Sequence, residues 1–162
     1  MLVVAIPLIP VKSDLRNGGL QVRKVRVKGC ALVGLSPMGD DRGTLIAIEA
    51  GRQIPFGVKR VYYVFDTKPG VSRGFHAHHA LRQFLVAVSG SCTLALDDGN
   101  SRDEVLLDNP ALGLQIDGLV WREMRDFSPD CVLMVLADAP YDETDYIRDY
   151  DEFVAAAEAR VA

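Results

Sequence analysis

Cysteine, histidine and tryptophan are scarce in this chain, at three, three and one in 162 residues, and each scarcity narrows the field. Cys30, Cys92 and Cys131 are odd in number and widely spaced, and without a Cys-x-x-Cys pair they exclude a redox or zinc motif of that type. Two of them lie in apolar runs, "GSCTLAL" and "CVLMVLA", as buried thiols of a reducing cytoplasm do. There is no excess of one charge: a net charge of -4 gives no electrostatic reason to expect nucleic acid or an anionic membrane as partner, and an anionic ligand would need a local group of arginines. There is no long apolar run either. The opening "MLVVAIPLIPVK" lacks a basic start, is interrupted by Pro7 and Pro10, and is too short to span a bilayer, so it reads as an ordered strand or arm. Repeats, low-complexity tracts and linkers are lacking, and the length suits one domain with a proper core.

What is present is mostly β. Runs rich in Val, Ile, Leu and Tyr recur ("LQVRKVRV", "GTLIAIEA", "VKRVYYVFD", "RQFLVAVSG", "SCTLALDDG", "DEVLLD", "LGLQI", "LVWREMRDF", "CVLMVLA") between clusters of Gly, Pro, Asn and Asp. Spacing of this kind predicts an antiparallel sandwich or barrel. "CVLMVLA" is apolar throughout and suits a strand buried on both faces, while Asp97, Asp98 and Gly99 offer a tight hairpin turn. Only the tail changes period: Tyr146, Ile147, Tyr150, Phe153 and Val154 stand at helical spacing with acids early and Arg160 late, which predicts a C-terminal helix packed on the β-body.

Two of the three histidines, His76 and His78, stand one residue apart in "GVSRGFHAHHALRQFLVAVSG". Alternate residues of a strand share a face, so both point the same way while Ala77 and His79 point the other. The spacing from Gly70 through His76, His78 and Gln83 to Gly90 resembles the first motif of the cupin superfamily, a double-stranded β-helix barrel in which two histidines and a glutamate bind a metal. Here Gln83 replaces the glutamate, and an amide is a poorer ligand for a hard or borderline cation. In the segment that matches the second motif, "DGLVWREM", Asp117 takes the place of the proline and Trp121 the place of the remaining histidine. With two of four ligands altered, no metal and no other cofactor is expected. Two histidines on one face beside Arg73 would also be costly as filler, which leaves acid/base work as the favoured reading.

The stretch "DDRGTLIAIEAGRQIPFGVKRVYYVFDTKPGVSRGFHAHHALRQFLVAVSGSCTLALDDG", followed by "GLQIDGLVWREMRDFSPDCVLMVLA" and "YDETDYIRDYDEF", resembles the WxcM-like (FdtA-type) cupins, from about Asp40 to Phe153. The resemblance implies an all-β cupin or jelly-roll barrel with a short C-terminal helix, residues 38–162 forming the cupin domain behind an N-terminal arm, 1–37, that is a candidate for exchange between subunits. It implies a dTDP-4-keto-6-deoxyglucose 3,4-ketoisomerase of the cytoplasm that makes a 3-keto-6-deoxyhexose on the way to dTDP-3-amino-3,6-dideoxyhexoses. It also implies a homodimer that exchanges β-strands, with neither nucleic acid nor membrane as partner.

Moving a carbonyl from C4 to C3 requires taking the C3 proton, holding an enediolate and returning a proton at C4, chemistry suited to groups that titrate near neutrality. The family's catalytic His-x-His pair falls on His76, assigned as principal base, and His78, assigned as the partner that shuttles or orients the proton, with the reverse order open. Tyr62 and Tyr63 face opposite sides of a strand, so one can enter the barrel; the family pattern favours Tyr62 for the enediolate, with Tyr63 kept as a binding candidate. Arg73 and Arg42, then Arg60, are the candidates for pyrophosphate or sugar oxygens, since a guanidinium fork suits phosphate. Gln83 is assigned to a sugar hydroxyl and Trp121 to the pocket wall, and the acidic C-terminal segment to packing. Two alternatives remain: a cupin epimerase acting on the same class of nucleotide sugar, and a sugar-binding cupin without catalysis.

Overall fold

The computed structural model describes residues 24–160. In chain order the strands are β1 (Cys30–Gly34), β2 (Met38–Asp40), β3 (Gly43–Leu45), β4 (Arg60–Val64), β5 (Arg73–His78) and β6 (Arg82–Ser89). They continue as β7 (Cys92–Asp97), β8 (Arg102–Leu107), β9 (Leu112–Asp117), β10 (Trp121–Arg125), β11 (Val132–Ala137) and β12 (Tyr146–Ile147), with a 3-10 turn at Glu143–Asp145 leading into β12 and an α-helix, α1 (Tyr150–Ala159), following it. Two five-stranded sheets, β1-β9-β6-β11-β4 and β12-β5-β10-β7-β8, face each other, and β2 with β3 forms a separate hairpin. Every strand pair within these sheets is antiparallel.

Strand alternation builds the interior. Leu85 and Ala87 of β6, Leu94 and Leu96 of β7, Val105 and Leu107 of β8, Leu114 and Ile116 of β9, and Leu133 and Val135 of β11 fill one apolar cluster between the sheets. The opposite faces are also covered. Phe84, Val86 and Leu136, on the outer face of the first sheet, meet Leu35, Ile54 and Phe56 from the connections. Ala77 and Trp121, on the outer face of the second, meet Phe153 and Ala157 of α1. β11 therefore is buried on both faces, as its unbroken apolar sequence predicts, because its alternate residues serve two clusters.

The predicted turn after β7 forms: Asp97 pairs with Arg102, and the Asp98 carboxylate accepts hydrogen bonds from the backbone N–H groups of Asn100 and Ser101. Three expectations are corrected. "GTLIAIEA" gives only the short β3, because Ile46 and Ile48 leave the strand to pack over the first sheet. The part of "LQVRKVRV" that is described, from Lys24, is irregular; Val25 and Val27 nonetheless enter the interior cluster, and the rest, like most of the arm at 1–37, lies outside the described residues. The tail makes a 3-10 turn at Glu143–Asp145 but becomes α-helical only at Tyr150, and between them Tyr146 and Ile147 form β12, paired with His78 and Ala77 of β5. Asp149 sets that start by accepting the Glu152 N–H at 2.9 Å, and the acids Asp151 and Glu152 sit in the first turn where the helix dipole favours them. Among the described residues, no helix is long and apolar enough to cross a membrane.

Candidate active site

The polar side chains that share the inward face with the apolar core cluster at one end of the barrel. Gln83 has the same strand parity as Leu85 and Ala87, Tyr62 packs against the core from β4, and Arg122 opposes His76 across the β10–β5 ladder. That register has a local cause. Between Arg122 and Glu123 the pairing slips by one residue on β5, leaving Phe75 as a bulge with φ of 54°. Gly74 makes the bulge possible, because its φ is 92° and a Cβ there would lie 2.6 Å from the Arg122 carbonyl oxygen. The bulge fixes the phase from which His76 and His78 turn inward.

The two imidazoles stand edge to face, centroids 5.0 Å apart, and Tyr146 of β12 packs on both, at 5.0 Å from His76 and 4.2 Å from His78. His78 is 1% exposed. Its Nδ1 is 3.0 Å from Asp145 Oδ2, while its Nε2 is buried with no hydrogen-bond partner among the described residues. Opposite runs a chain of hydrogen bonds: Arg122 Nη1 donates to Gln83 Oε1 at 2.8 Å, and Gln83 Nε2 donates to the Tyr62 hydroxyl at 2.8 Å. The Tyr62 proton is thereby left for another acceptor. Arg122, 2% exposed, has its remaining hydrogen bond on the Gly118 carbonyl, at 3.3 Å. Both of these partners are neutral oxygens.

The electrostatics follow from burial around that cation. Desolvation first and the Arg122 guanidinium second bring His76 down to about 4. The same two causes hold His78 far below an ordinary histidine, so both rings are neutral at pH 7. Burial also lowers Arg122 to about 10 and raises the Tyr62 hydroxyl. A cavity of about 240 Å³ adjoins His78, lined also by Arg60, Leu81, Asp138, Asp145 and Tyr146. Among the described residues, no three His, Cys, Asp or Glu side chains converge as metal ligands. Gln83 is taken up by Tyr62 and Arg122, and a guanidinium beside the histidines opposes a second cation there.

The structure therefore gathers His76, His78, Tyr62 and Gln83 from the sequence-derived set. Arg60 adjoins them, its guanidinium 5.3 Å from the Tyr62 ring centroid and 5.7 Å from that of Tyr141. Tyr63 is on the outer face, 61% exposed and beside Phe65. Arg73 is exposed at the head of β5, and Arg42 is bound by Asp40 of its own hairpin. Trp121 is corrected. Its ring lies under α1 against Tyr150 and Phe153, with Nε1 donating to Glu123, and the next residue, Arg122, faces inward. The structure adds Asp145 and Tyr146, which the helical spacing of the tail hides; the acid stretch that opens the tail is their only signal in the sequence.

Comparison with known proteins decides the family. Residues 28–158 match the family described as FdtA: WxcM-like, C-terminal. The chain belongs to the FdtA family. Over 114 residues, 70% of this chain and 82% of the relative, it is 60% identical to the TDP-4-oxo-6-deoxy-alpha-D-glucose-3,4-oxoisomerase of Aneurinibacillus thermoaerophilus. Its fold is similar to that of QdtA, a sugar 3,4-ketoisomerase from Thermoanaerobacterium thermosaccharolyticum solved with TDP: TM-score 0.81, 41% identity, 83% of this chain and 98% of that one. A histidine-to-asparagine variant of QdtA was solved holding TDP-4-keto-6-deoxyglucose. The WlaRB TDP-quinovose 3,4-ketoisomerase of Campylobacter jejuni is 46% identical, with a TM-score of 0.77 over 80% of this chain and 99% of that one. Like these relatives the chain has the cupin fold, here with a short C-terminal helix.

Proposed function

We propose that this FdtA-family chain is a TDP-4-keto-6-deoxyglucose 3,4-ketoisomerase that works through an enediolate. The observation that carries the chemistry is the pair of neutral imidazoles, His76 and His78, set beside a tyrosine hydroxyl that a buried arginine backs through Gln83. His76 takes the proton from C3, and the C3–H electrons pass into the C3–C4 bond as the C4 carbonyl becomes O4⁻. The proton on O3 and the negative charge on O4 exchange places through His78 and Tyr62. C4 then receives a proton and C3 becomes the ketone. The balance is one C–H bond broken at C3 and one formed at C4, with no external oxidant or reductant.

Arg122 suits the charged intermediate, because a buried guanidinium with neutral partners gains more from a developing oxyanion than an exposed one would. Arg60, with Arg73 and Arg42, remains the proposed contact for the pyrophosphate, and the reading gives no role to Tyr63 or Trp121.

A strand-exchanged homodimer in the cytoplasm completes the reading. The β2–β3 hairpin stands by itself, with Met38 53% and Leu45 60% exposed, and an isolated two-stranded hairpin is marginal in water. A second copy of the chain covering it would bury that apolar surface and carry Arg42 with it. The experiment is to incubate the purified protein with TDP-4-keto-6-deoxyglucose in deuterated buffer and follow the sugar by NMR. The expected product has its ketone at C3 and deuterium at C4. Deuterium beside a ketone that stays at C4 would instead indicate an epimerase, and an unchanged sugar that binds would indicate a binding protein.

A further inference from the structure

The side of His78 that faces away from His76 is held by an unusually complete set of contacts to one residue. Asp145 Oδ2 meets His78 Nδ1 at 3.0 Å and accepts the Leu81 N–H at 3.2 Å. Asp145 Oδ1 accepts the Ala80 N–H at 2.9 Å, and the Asp145 carbonyl accepts the His79 N–H at 2.9 Å. The chain leaving β5 is thus tied to Asp145 at three successive residues, and β12 begins at the next position by pairing Tyr146 with His78. The carboxylate cannot turn without breaking several of these bonds, and the ring cannot turn without losing the one hydrogen bond it makes.

From this geometry we infer that Asp145 is a positioning residue: it fixes His78 as the neutral tautomer with the proton on Nδ1, which leaves Nε2 as the proton acceptor in the cluster with His76, Tyr146 and Arg122. The inference rests on the ketoisomerase reading for its catalytic meaning, and on hydrogen-bond inventory for its physical content. A neutral imidazole has one donor nitrogen and one acceptor. With the proton on Nδ1, the donor meets a carboxylate. With the proton on Nε2, a buried donor would have no acceptor among the described residues, and the Nδ1 lone pair would face the Asp145 oxygen. Both consequences are unfavourable, so the first tautomer wins by the cost of an unsatisfied buried donor and a lone-pair repulsion. The cations that face the ring, Arg122, Arg60 and Arg148, and the neighbouring His76 all oppose a second proton on it. A ring locked in this way can accept a proton at Nε2 only, which gives direction to a transfer within the histidine pair.

The test has two arms. The first needs no activity and leaves Asp145 in place: long-range ¹H–¹⁵N correlation spectra of histidine-labelled protein near pH 7 report which nitrogen of His78 carries the proton, with His78→Asn used only to assign the signal. The expected result is Nδ1–H with an unprotonated Nε2; a protonated Nε2 overturns the inference whatever the enzyme's activity. The second arm measures kinetics and the same spectra for Asp145→Asn and Asp145→Ala. The expected result is a kcat lower by roughly 10–100-fold, the scale on which histidine-orienting partners act, with KM within about threefold and a His78 tautomer signal that moves or splits. If Asp145→Ala remains folded by near-UV circular dichroism and keeps kcat within about threefold, Asp145 does not position the reacting ring. If either variant fails to fold, the first arm alone decides. Failure of the ketoisomerase reading would show separately, as a wild-type protein that leaves the ketone at C4.

Discussion

At the scale of single residues, the site depends on keeping imidazoles neutral beside a buried cation. His76 is brought down to about 4 by burial and then by Arg122, so it can act as a base well below the usual histidine range. The acid limb of kcat/KM for the free enzyme should therefore fall near pH 4 rather than near the 6.5 of an ordinary histidine, as a pH–rate profile would reveal. The same shift acts on stability. Because the unfolded chain binds the proton more readily than the native one, stability contributed at this site is present above the unfolded pKa and declines as pH drops from about 6.5 through the folded value. His76→Asn should lower kcat by roughly 10²–10⁴-fold and abolish deuterium incorporation while the fold survives, since the ring is only partly buried and an amide of similar polarity replaces it. A variant that still exchanges the C3 proton at the wild-type rate would move the base elsewhere, with His78 as the first candidate.

At the scale of elements, the decisive feature is the bulge in β5. It places two residues of that strand against a single step of β10, and only a glycine fits at the point where β5 approaches the Arg122 carbonyl. Gly74→Ala would set a Cβ against backbone in a conformation that side chains rarely adopt, at a cost of roughly 1–3 kcal/mol. The expected outcome is a melting temperature lower by several degrees together with a larger proportional loss of kcat, because the histidines and Arg122 share the distorted ladder; thermal unfolding and steady-state kinetics measure the two. A stable Gly74→Ala enzyme of normal kcat would show that the bulge does not set the histidine pair. The tail also acts at this scale: β12 delivers Asp145 and Tyr146 to β5, and α1 only then covers the outer face of the second sheet. A segment assigned to packing by its acid content thus supplies the inner wall of the site as well.

For the whole molecule, the exposed hairpin and the outer edge of β4 make the same point about assembly. Met38 and Leu45 of the hairpin, and Val61, Tyr63 and Phe65 at the β4 edge, are all more than half exposed, apolar surface that an interface would bury. Light scattering should give a particle of about twice the 17.7 kDa chain mass, and a charged substitution in the hairpin, Leu45→Asp, should shift it toward the monomer with loss of activity if Arg42 acts across the interface. A fully active monomer would remove strand exchange from the reading.

The pattern of short apolar runs determined by itself that the chain is an antiparallel β-body with one terminal helix, since a period of two along a strand and the turn residues between strands are local properties. The His-x-His spacing likewise determined that His76 and His78 share a face, and adjacency determined that Tyr62 and Tyr63 do not. Which of Trp121 and Arg122 points inward was not local. It depends on how β10 is registered against β5, and a slip of one residue exchanges the two faces. The same holds for Asp145, which lies far along the chain from His78 and meets it only because β12 adds to the edge of β5. Spacing within one strand is fixed by backbone geometry, whereas the partner of a buried side chain is fixed by pairing between distant strands, and only the folded sheet decides that.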